Sequence, residues 1–431
     1  MPTSGLDALG WECAVCGARR DIADPLPFRC PNATPADRHH VLRLRTREHL
    51  ALAGAREVHE NGEGNPFVRY DTRFAWAAFA AAHGMSADAR RALVETIDAA
   101  IRQADGVGFR VTPFARSAVL SDELGFGPAG GVWVKDETHN VAGSHKARHL
   151  MSVLLHLLAA ESLGMLDERP RLAIASCGNA ALAAATLAAA ADWPIDVFVP
   201  DWMNEGVGVR LRSLGATIHR CERQASDPPG DPTMFRFREV VDTGAIPFTV
   251  QGPENALCFD GGRTIAWEML DQSAALGIEL DRVFVQVGGG AFATCVGDGL
   301  VGSASPVRLH AVQAAGCAPL ARGWDRAAAF EQPAQHWRDV MTVWDDPHSL
   351  ADGILDDETY DWLGVVENMR RSDGEPVVAP ETQIVRAHAL AVDDGFDVSP
   401  TGSAGLAGLL AARDRVGDGE RVAVVMSGVA R

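Results

Sequence analysis

The chain has few positive charges for its size. Its 431 residues include 39 lysines and arginines against 57 aspartates and glutamates, which gives a formal net charge of −18 at pH 7. A surface of this sign repels nucleic-acid phosphates and anionic lipid headgroups. We therefore expect neither nucleic acid nor a membrane as a partner, and any bound phosphate or carboxylate must rely on local backbone dipoles and a few cations.

The sequence also lacks a targeting or membrane-spanning pattern. Its start, Met-Pro-Thr-Ser-Gly-Leu-Asp, has neither the basic segment nor the apolar core of a signal peptide. The most apolar helical stretch, residues 180–191, falls short of the roughly 20 apolar residues that cross a bilayer. The eight cysteines show no disulfide-scaffold spacing, so a reducing cytoplasm is the expected compartment.

The composition is that of a globular protein, with 47% apolar and 22% charged residues. Its length allows two domains with substantial cores. Strand-like and helical patterns alternate, which predicts an α/β class with mostly parallel sheets covered by helices. Strands are expected at 132–134, 172–175, 195–199 and 217–220, and helices at 46–106, 180–191 and 205–214. Residues 324–375 favour loops and short helices near an active-site mouth or a subunit contact.

The most informative segment contains Lys146. This lysine stands two residues after a Gly-Ser turn, at the start of an apolar helical run. A lysine held at a loop-to-helix junction is partly desolvated and lies near a helix N-terminus that favours anions, so it is well placed for a Schiff base with an aldehyde cofactor. Taken alone, the segment also fits an exposed lysine in an ordinary helix.

Two further segments combine a short strand with a turn that opens a helix. The first, Ser176-Cys-Gly-Asn179, offers backbone N–H groups, a hydroxyl and a carboxamide, a set that suits a carboxylate and a phenolic oxygen. A plain helix N-cap is its alternative interpretation. The second contains three glycines, Gly288 to Gly290, that let backbone N–H groups approach a phosphate. It matches neither G-x-G-x-x-G nor a Walker loop, and a tight turn is its alternative.

A fourth segment lies at the C-terminus, where a strand beginning near Arg421 ends in Ser427-Gly428. In this order, the four segments resemble fold-type II pyridoxal phosphate enzymes, in the threonine synthase and serine/threonine dehydratase branch. The resemblance extends from about Phe109 to the C-terminus and includes Phe259-Asp-Gly-Gly-Arg-Thr and Ser399-Pro-Thr-Gly-Ser.

The resemblance implies pyridoxal 5'-phosphate as cofactor and a small-molecule amino acid as substrate. Lys146 would form the Schiff base and later move the α-proton. The other implied contacts are Asn179 to the ring oxygen; Gly288, Gly289, Gly290 and Ala291 to the phosphate; Ser427 to the pyridine nitrogen; and Ser176, Cys177, Gly178 and Ala180 to the substrate carboxylate.

The resemblance also implies a domain organisation. A larger cofactor-binding domain would comprise residues 46–131 and 255–431, with a smaller α/β domain, 132–254, inserted into it. Residues 1–45 would form a separate N-terminal segment. A homodimer is the expected assembly, since two-fold oligomers prevail among soluble proteins.

Ser427 indicates the reaction type. A neutral hydroxyl opposite the ring nitrogen does not enforce a pyridinium, so the ring is a weaker electron sink and prompt loss of a β-substituent is favoured. We therefore predict a lyase of the ammonia-lyase or dehydratase type, which acts through an aminoacrylate to give a 2-keto acid and ammonia. Three alternatives remain: threonine synthase-like γ-elimination and replacement on a phosphohomoserine-type substrate, β-replacement, and a catalytically inactive homologue.

The sequence departs from the family pattern in three places, of which the first is Asn140-Val-Ala, where Asn-Pro-Thr is usual. His145 stands where an apolar or aromatic neighbour of the lysine is usual, and it is either a candidate acid/base or a packing substitution. Cys177 replaces the usual serine or threonine of the carboxylate loop, and a thiol is a poorer hydrogen-bond donor. These changes put the substrate in doubt more than the cofactor.

The N-terminus shows a different pattern, Cys13-x-x-Cys16-Gly followed by Cys30. A Cys-x-x-Cys turn presents two thiolates to one metal ion, and a tetrahedral structural site needs four ligands. His39 or His40 would complete a Cys3His zinc site, and we take His39 as the provisional fourth ligand. A ribbon that no longer binds metal and a redox pair of cysteines are the alternatives.

Overall fold

The computed structural model describes residues 6–46, 64–166, 168–301 and 307–430. Of the predicted helical segment 46–106, the part at 47–63 lies outside the described residues. The strands are β1 (Ala8–Cys13), β2 (Arg19–Asp21), β3 (Leu42–Thr46), β4 (Phe114–Ser117), β5 (Gly131–Asp136), β6 (Leu172–Ala175), β7 (Ile195–Val199), β8 (Thr217–Arg220), β9 (Ile246–Pro247), β10 (Arg282–Gln286), β11 (Arg308–Ala314), β12 (Glu375–Ala379) and β13 (Arg421–Met426).

The helices that follow and separate these strands cover the sheets. They are α1 (Pro66–Arg69), α2 (Ala75–Ala82), α3 (Ala87–Asp105), α4 (Ala118–Glu123), α5 (Lys146–Ser162), α6 (Asn179–Ala190), α7 (Glu205–Ser213), α8 (Pro232–Asp242), α9 (Cys258–Leu276), α10 (Ala291–Val301), α11 (Pro319–Ala327), α12 (Trp337–Val340), α13 (Trp362–Arg371), α14 (Glu381–Asp393) and α15 (Ala404–Ala411). Among the helices of these described ranges, none is both long enough and apolar enough to cross a bilayer.

The strands of the described residues form three sheets. The N-terminal strands form an antiparallel sheet in the order β2-β1-β3. The largest sheet has the order β12-β11-β10-β13-β5-β4 and is parallel except for β4. The third has the order β8-β7-β6-β9 and is parallel throughout. This arrangement confirms the predicted α/β class with parallel-rich sheets.

The core of the largest sheet follows from the alternation of side chains along its strands. In β10, Val283 and Val285 pack in one apolar cluster with residues of α10 and α13. Phe284, between them, points to the opposite face and packs with residues of α14 and α15. Such continuous apolar strands are typical of parallel sheets buried on both faces.

Local patterns located most elements well. The strands expected at 172–175, 195–199 and 217–220 are β6, β7 and β8, and the helices expected at 180–191 and 205–214 begin and end within one residue of α6 and α7. α6 is almost entirely alanine and leucine, which are strong helix formers. In α3, Ser86 caps the first turn and Gly106 ends the helix in a left-handed conformation.

The strand that precedes the Lys146 segment lies in the largest sheet. β5 pairs with β13 on one side and with β4 on the other. The domain boundary predicted at residue 132 falls inside β5. The sequence did not indicate this, because a fully buried apolar strand carries no pattern that identifies its partner strands. The division into domains stays a prediction, but residue 132 is not where the larger sheet ends.

Candidate active site

Lys146 is the first residue of α5, and a tight turn places it there. The Asn140 side chain accepts a hydrogen bond from the N–H of Val141 at 2.9 Å. Ala142 and Gly143 then adopt left-handed backbone conformations, with φ of 54° and 65°. For alanine this conformation costs about 1–2 kcal/mol, and such strain persists only where the surroundings fix it. The turn therefore holds Lys146 in a defined position.

Lys146 is one of only two lysines in the chain, the other being Lys135. Lys135 is fully buried and donates from Nζ to Glu268 at 2.6 Å. Lys146 has no hydrogen bond or ion pair within the part of the chain that the structure describes. Burial lowers its pKa, although the carboxylate of Asp356 opposes that shift. Lys146 is therefore the lysine available for covalent chemistry.

Ser427 lies directly beyond β13 and contacts the residue before the lysine. Its Oγ accepts a hydrogen bond from the backbone N–H of His145 at 3.0 Å, and the Nδ1 atom of His145 lies 2.5 Å from the same oxygen. The His145 ring stacks on Phe292 with 3.9 Å between centroids. Burial lowers the pKa of His145 well below its usual range, so its imidazole is neutral at pH 7.

Asn179, the first residue of α6, lies beside the residue that follows Ser427. A Cβ added at Gly428 would lie 2.6 Å from Asn179 Nδ2, so the carboxamide packs directly on the backbone after Ser427. The N–H of Val429 donates to the carbonyl of Gly143 at 3.2 Å. The C-terminal strand end therefore brings together the turn before Lys146 and the start of α6.

The glycine loop, Gly288 to Gly290, connects β10 to α10. A Cβ at Gly288 would lie 2.2 Å from an oxygen of Asp356, and one at Gly290, where φ is 96°, would lie 2.9 Å from Thr359 Cγ2. A side chain at Gly288 would therefore displace Asp356, and one at Gly290 would also require a left-handed backbone. Ala291 begins α10, so a helix N-terminus backs the loop and favours an anion there.

The predicted carboxylate loop precedes and begins α6. The N–H of Gly178 lies 3.4 Å from Ser176 Oγ, and Ala180 occupies the first helical turn. Burial raises the pKa of Cys177 to about 11, and the carboxylates of Asp352 and Asp231 add to this shift. Cys177 is therefore a neutral thiol, and the backbone N–H groups at the helix start are the stronger donors.

An acidic segment, residues 352–361, packs on the glycine loop. The sequence analysis expected residues 324–375 near an active-site mouth or a subunit contact but singled out none of these carboxylates. The N–H of Asp361 donates to the carbonyl of Gly289 at 2.8 Å, and Asp361 Oδ2 accepts from the N–H of Gly252 at 3.1 Å. Burial raises the pKa of Asp356 to about 6 and that of Asp361 to about 8. The density of carboxylates in 352–361 was the available signal.

A buried ion network beneath Lys146 was also missed. Arg148 donates from Nε to Glu137 at 2.7 Å and from Nη1 to Glu268 at 2.6 Å, and all three side chains are fully buried. Lys135 contacts the same Glu268. The network joins the first turn of α5 to α9 and to the end of β5, so it fixes the orientation of the helix that Lys146 begins.

A second cluster lies in the N-terminal sheet. One ligand atom from each of Cys13, Cys16, Cys30 and His40 lies within 4.8 Å of the other three. The Sγ atoms of Cys16 and Cys30 are 3.6 Å apart, and Cys13 Sγ is 3.4 Å from His40 Nδ1. Three thiols and an imidazole converging in this way form a candidate metal centre with the donor set of a tetrahedral zinc site.

The fourth residue of the cluster is His40, and not His39, which the sequence analysis took as the provisional fourth ligand. His39 points away from the cysteines, because its ring stacks on Trp337 at 4.2 Å and its Nε2 lies 3.7 Å from Glu358. His40 Nε2 instead lies 3.3 Å from Asp37 Oδ2. A carboxylate behind a histidine is typical of metal ligands, since it orients the ring. Spacing alone did not distinguish two adjacent histidines that point in different directions.

Curated proteins similar to the chain include threonine synthases. The threonine synthase of Synechocystis sp. is 28% identical over 306 residues, covering 69% of this chain and 71% of that protein. The threonine synthase of Mycobacterium tuberculosis (strain ATCC 25618 / H37Rv) is 26% identical over 311 residues, covering 70% and 76%.

Solved structures share the fold at lower identity. A threonine deaminase from T.th. aligns with a TM-score of 0.60 at 22% identity, covering 78% of this chain and 98% of that one. A diaminopropionate ammonia lyase from Escherichia coli aligns with a TM-score of 0.59 at 16% identity, covering 79% and 89%. Residues 107–428, which include Lys146, Asn179, the glycine loop and Ser427, match the family model described as pyridoxal-phosphate dependent enzyme. The chain thus belongs to the family of pyridoxal-phosphate dependent enzymes.

Proposed function

We propose that the protein is a pyridoxal 5'-phosphate-dependent lyase that removes a β-substituent from an L-amino acid and releases a 2-keto acid and ammonia. The observation that carries this proposal is the arrangement around Lys146. The only lysine outside the buried ion network begins a helix whose preceding turn contacts the end of the C-terminal strand. Asn179 and Ser427 lie at that same junction.

The residues present fit the cofactor. The glycine loop offers backbone N–H groups and the N-terminus of α10 to a phosphate, at positions where a side chain would clash. Lys146 would bind the aldehyde through an amine whose pKa is lowered by burial. Asn179 would hydrogen-bond the ring oxygen and Ser427 the pyridine nitrogen.

When bound, the cofactor supplies an electron sink that stabilises negative charge at the substrate Cα. Lys146 Nζ would accept the proton from Cα and pass it to the departing β-substituent, since it is the only basic side chain at this junction that is not already paired among the described residues. Ser427 and the neutral His145 place no full charge opposite the ring nitrogen. This arrangement favours rapid loss of a β-substituent over reactions that need a long-lived carbanion.

The carboxylate loop would orient the substrate. The backbone N–H groups from Ser176 to Ala180 stand at the start of α6, where the helix dipole favours a carboxylate. Cys177 adds a neutral thiol to this loop. We expect the substrate carboxylate to bind at this loop and the β-substituent to face the acidic segment 352–361.

The experiment is an assay of the purified protein with its visible spectrum recorded. The panel contains L-threonine, L-serine, β-hydroxyaspartate, diaminopropionate and O-phosphohomoserine, with keto acid, ammonia and phosphate followed separately. We expect keto acid from at least one substrate, with one ammonia per keto acid from a β-hydroxy substrate or two from diaminopropionate, and neither product from Lys146→Ala. A yellow protein that releases neither product from any of these would contradict the lyase assignment.

A second candidate is threonine synthase-like chemistry, favoured by curated relatives at 26–28% identity. Its signature in the same assay is release of inorganic phosphate and threonine from O-phosphohomoserine without keto acid. β-Replacement would require a second nucleophile and would suppress keto acid formation. A colourless protein that does not take up the cofactor would indicate an inactive homologue.

We also propose that Cys13, Cys16, Cys30 and His40 bind one structural zinc ion and that the protein is a homodimer. Metal analysis of the purified protein should give one zinc per chain, and Cys16→Ser should lower that content. Light scattering after size-exclusion chromatography should give twice the chain mass of 45.9 kDa. A mass of one chain would contradict the dimer.

A further inference from the structure

The N-terminal segment reaches the acidic segment of the active site through one residue, Glu358. Arg38 Nη2 lies 2.7 and 2.6 Å from the two carboxylate oxygens of Glu358. His39 Nε2 lies 3.7 Å from the same carboxylate, and Glu358 is only 6% exposed. An arginine that donates to both oxygens of a largely buried carboxylate fixes its position.

The residues that hold Glu358 adjoin the metal-ligand set. His40 follows Arg38 by two residues, and its Nε2 lies 3.3 Å from Asp37. Asp37 in turn accepts a hydrogen bond from Trp337 Nε1 at 2.6 Å. One stretch, residues 37–40, therefore carries a metal ligand, the carboxylate that orients it and the arginine that binds Glu358.

Glu358 lies between the two aspartates that meet the glycine loop. On one side, Asp356 lies against Gly288. On the other, the backbone of Asp361 donates to Gly289 at 2.8 Å. The position of Glu358 therefore bears on the shape of the loop that would bind the cofactor phosphate.

We propose that residues 37–40 act as a metal-dependent clamp: a metal ion bound by the N-terminal cluster orders this stretch, so that Arg38 holds Glu358 and the glycine loop keeps the shape that binds the cofactor phosphate. The proposal rests on the proposed cofactor and metal sites. Arg38 and Glu358 are positioning residues, since neither lies in the glycine loop itself. The bound ion would order the stretch that carries Arg38, because small metal-binding modules take their fold from the bound ion.

The test measures the dissociation constant of pyridoxal 5'-phosphate by absorbance titration of the full-length, cofactor-stripped protein. Wild type is compared before and after zinc removal by a chelator, and with Arg38→Met and Glu358→Gln. We expect zinc removal and each substitution to weaken binding by about tenfold, equivalent to about 1.4 kcal/mol. Arg38→Met should keep its zinc, and chelation should then have little further effect. Arg38→Lys should recover part of the affinity.

Arg19→Met is the matched control, because Arg19 lies in the same N-terminal sheet and pairs with Glu12 away from the acidic segment. Its affinity should equal that of wild type. Hydrogen exchange of residues 352–361 gives a second readout and should quicken after zinc removal and in Arg38→Met. Thermal unfolding would reveal a variant that simply fails to fold.

The outcomes distinguish a failure of the proposed clamp from a failure of the proposed function. Cofactor binding that is indifferent to both zinc removal and Arg38→Met would overturn the clamp and leave the proposed function intact. Additive effects of chelation and Arg38→Met would also overturn the clamp, because they would show that zinc and Arg38 affect cofactor affinity independently. A wild-type protein that binds no cofactor would overturn the proposed function, and a protein without metal would overturn the clamp together with the metal site.

Discussion

His145 Nδ1 and Ser427 Oγ are 2.5 Å apart, and the backbone N–H of His145 donates to the same oxygen. His145 Nε2 has no hydrogen-bond partner among the described residues. Because a buried N–H without a partner is rarer than an unpaired acceptor, the proton belongs on Nδ1. Ser427 then accepts two hydrogen bonds and its own hydroxyl proton points away from His145, available to a ring nitrogen.

We therefore expect His145→Phe to lower kcat/KM by about tenfold, or about 1.4 kcal/mol of barrier, and to change the visible spectrum of the bound cofactor. Phenylalanine keeps the stacking on Phe292 and removes the hydrogen bond. The matched comparison is a double-mutant cycle with Ser427→Ala, in which the double variant should be little worse than Ser427→Ala. Independent, additive losses would mean that His145 does not act through Ser427.

Arg148→Met should destabilise the fold strongly. The substitution leaves the buried carboxylates of Glu137 and Glu268 with Lys135 as the remaining cation of the network. Removing one partner of a buried ion pair costs about 3–5 kcal/mol. The free energy of unfolding in urea measures this, and Arg19→Met, at an exposed pair, should change it by less than about 0.5 kcal/mol. A loss of under about 1 kcal/mol at Arg148 would show that the network contributes little.

Asp356→Asn should strengthen cofactor binding more at pH 8 than at pH 5. Burial raises the pKa of Asp356 to about 6, so it is a carboxylate beside the glycine loop above that pH and neutral below it. Lys146 attracts this charge and Asp231 repels it. Because the phosphate of the cofactor itself titrates near pH 6, the two proteins must be compared at each pH.

The same substitution has a predictable effect on stability. A carboxyl whose pKa is about 6 in the folded protein and 3.8 otherwise destabilises the fold increasingly as the pH rises from 3.8 to 6. Asparagine removes this penalty, so the urea midpoint of Asp356→Asn should exceed that of wild type at pH 8 and approach it at pH 4. Equal midpoints at both pH values would show that Asp356 is not perturbed.

Gly290→Ala should abolish tight cofactor binding. Gly290 has a φ of 96°, and a new Cβ would lie 2.9 Å from Thr359. A left-handed alanine costs about 1–2 kcal/mol before the clash is counted, so we expect affinity to fall at least tenfold. Gly419→Ala is the control, since nothing lies within 4 Å of its added Cβ. The cofactor titration used above measures both variants, and a Gly290→Ala protein with wild-type affinity would exclude the loop as the phosphate site.

The sequence predicted the candidate site residues whose positions are set by the backbone geometry of their immediate neighbours. Lys146, Asn179, the glycine loop and Ser427 stand at the ends of strands or the starts of helices, where a few neighbouring residues set the backbone. The contact of Arg38 with Glu358 joins residues 320 positions apart, and no short pattern encodes such a pair. The choice between His39 and His40 depended on side-chain direction in an irregular loop, and the place of β5 depended on its partner strands.

The scarcity of lysine has a practical consequence. Since Lys135 is sealed within a buried ion network, an amine-directed reagent applied to the native protein meets Lys146 as its only candidate lysine side chain. Chemical reduction of an imine formed at this position would covalently modify a single tryptic peptide. Mass spectrometry of that peptide would measure the fraction of occupied sites directly.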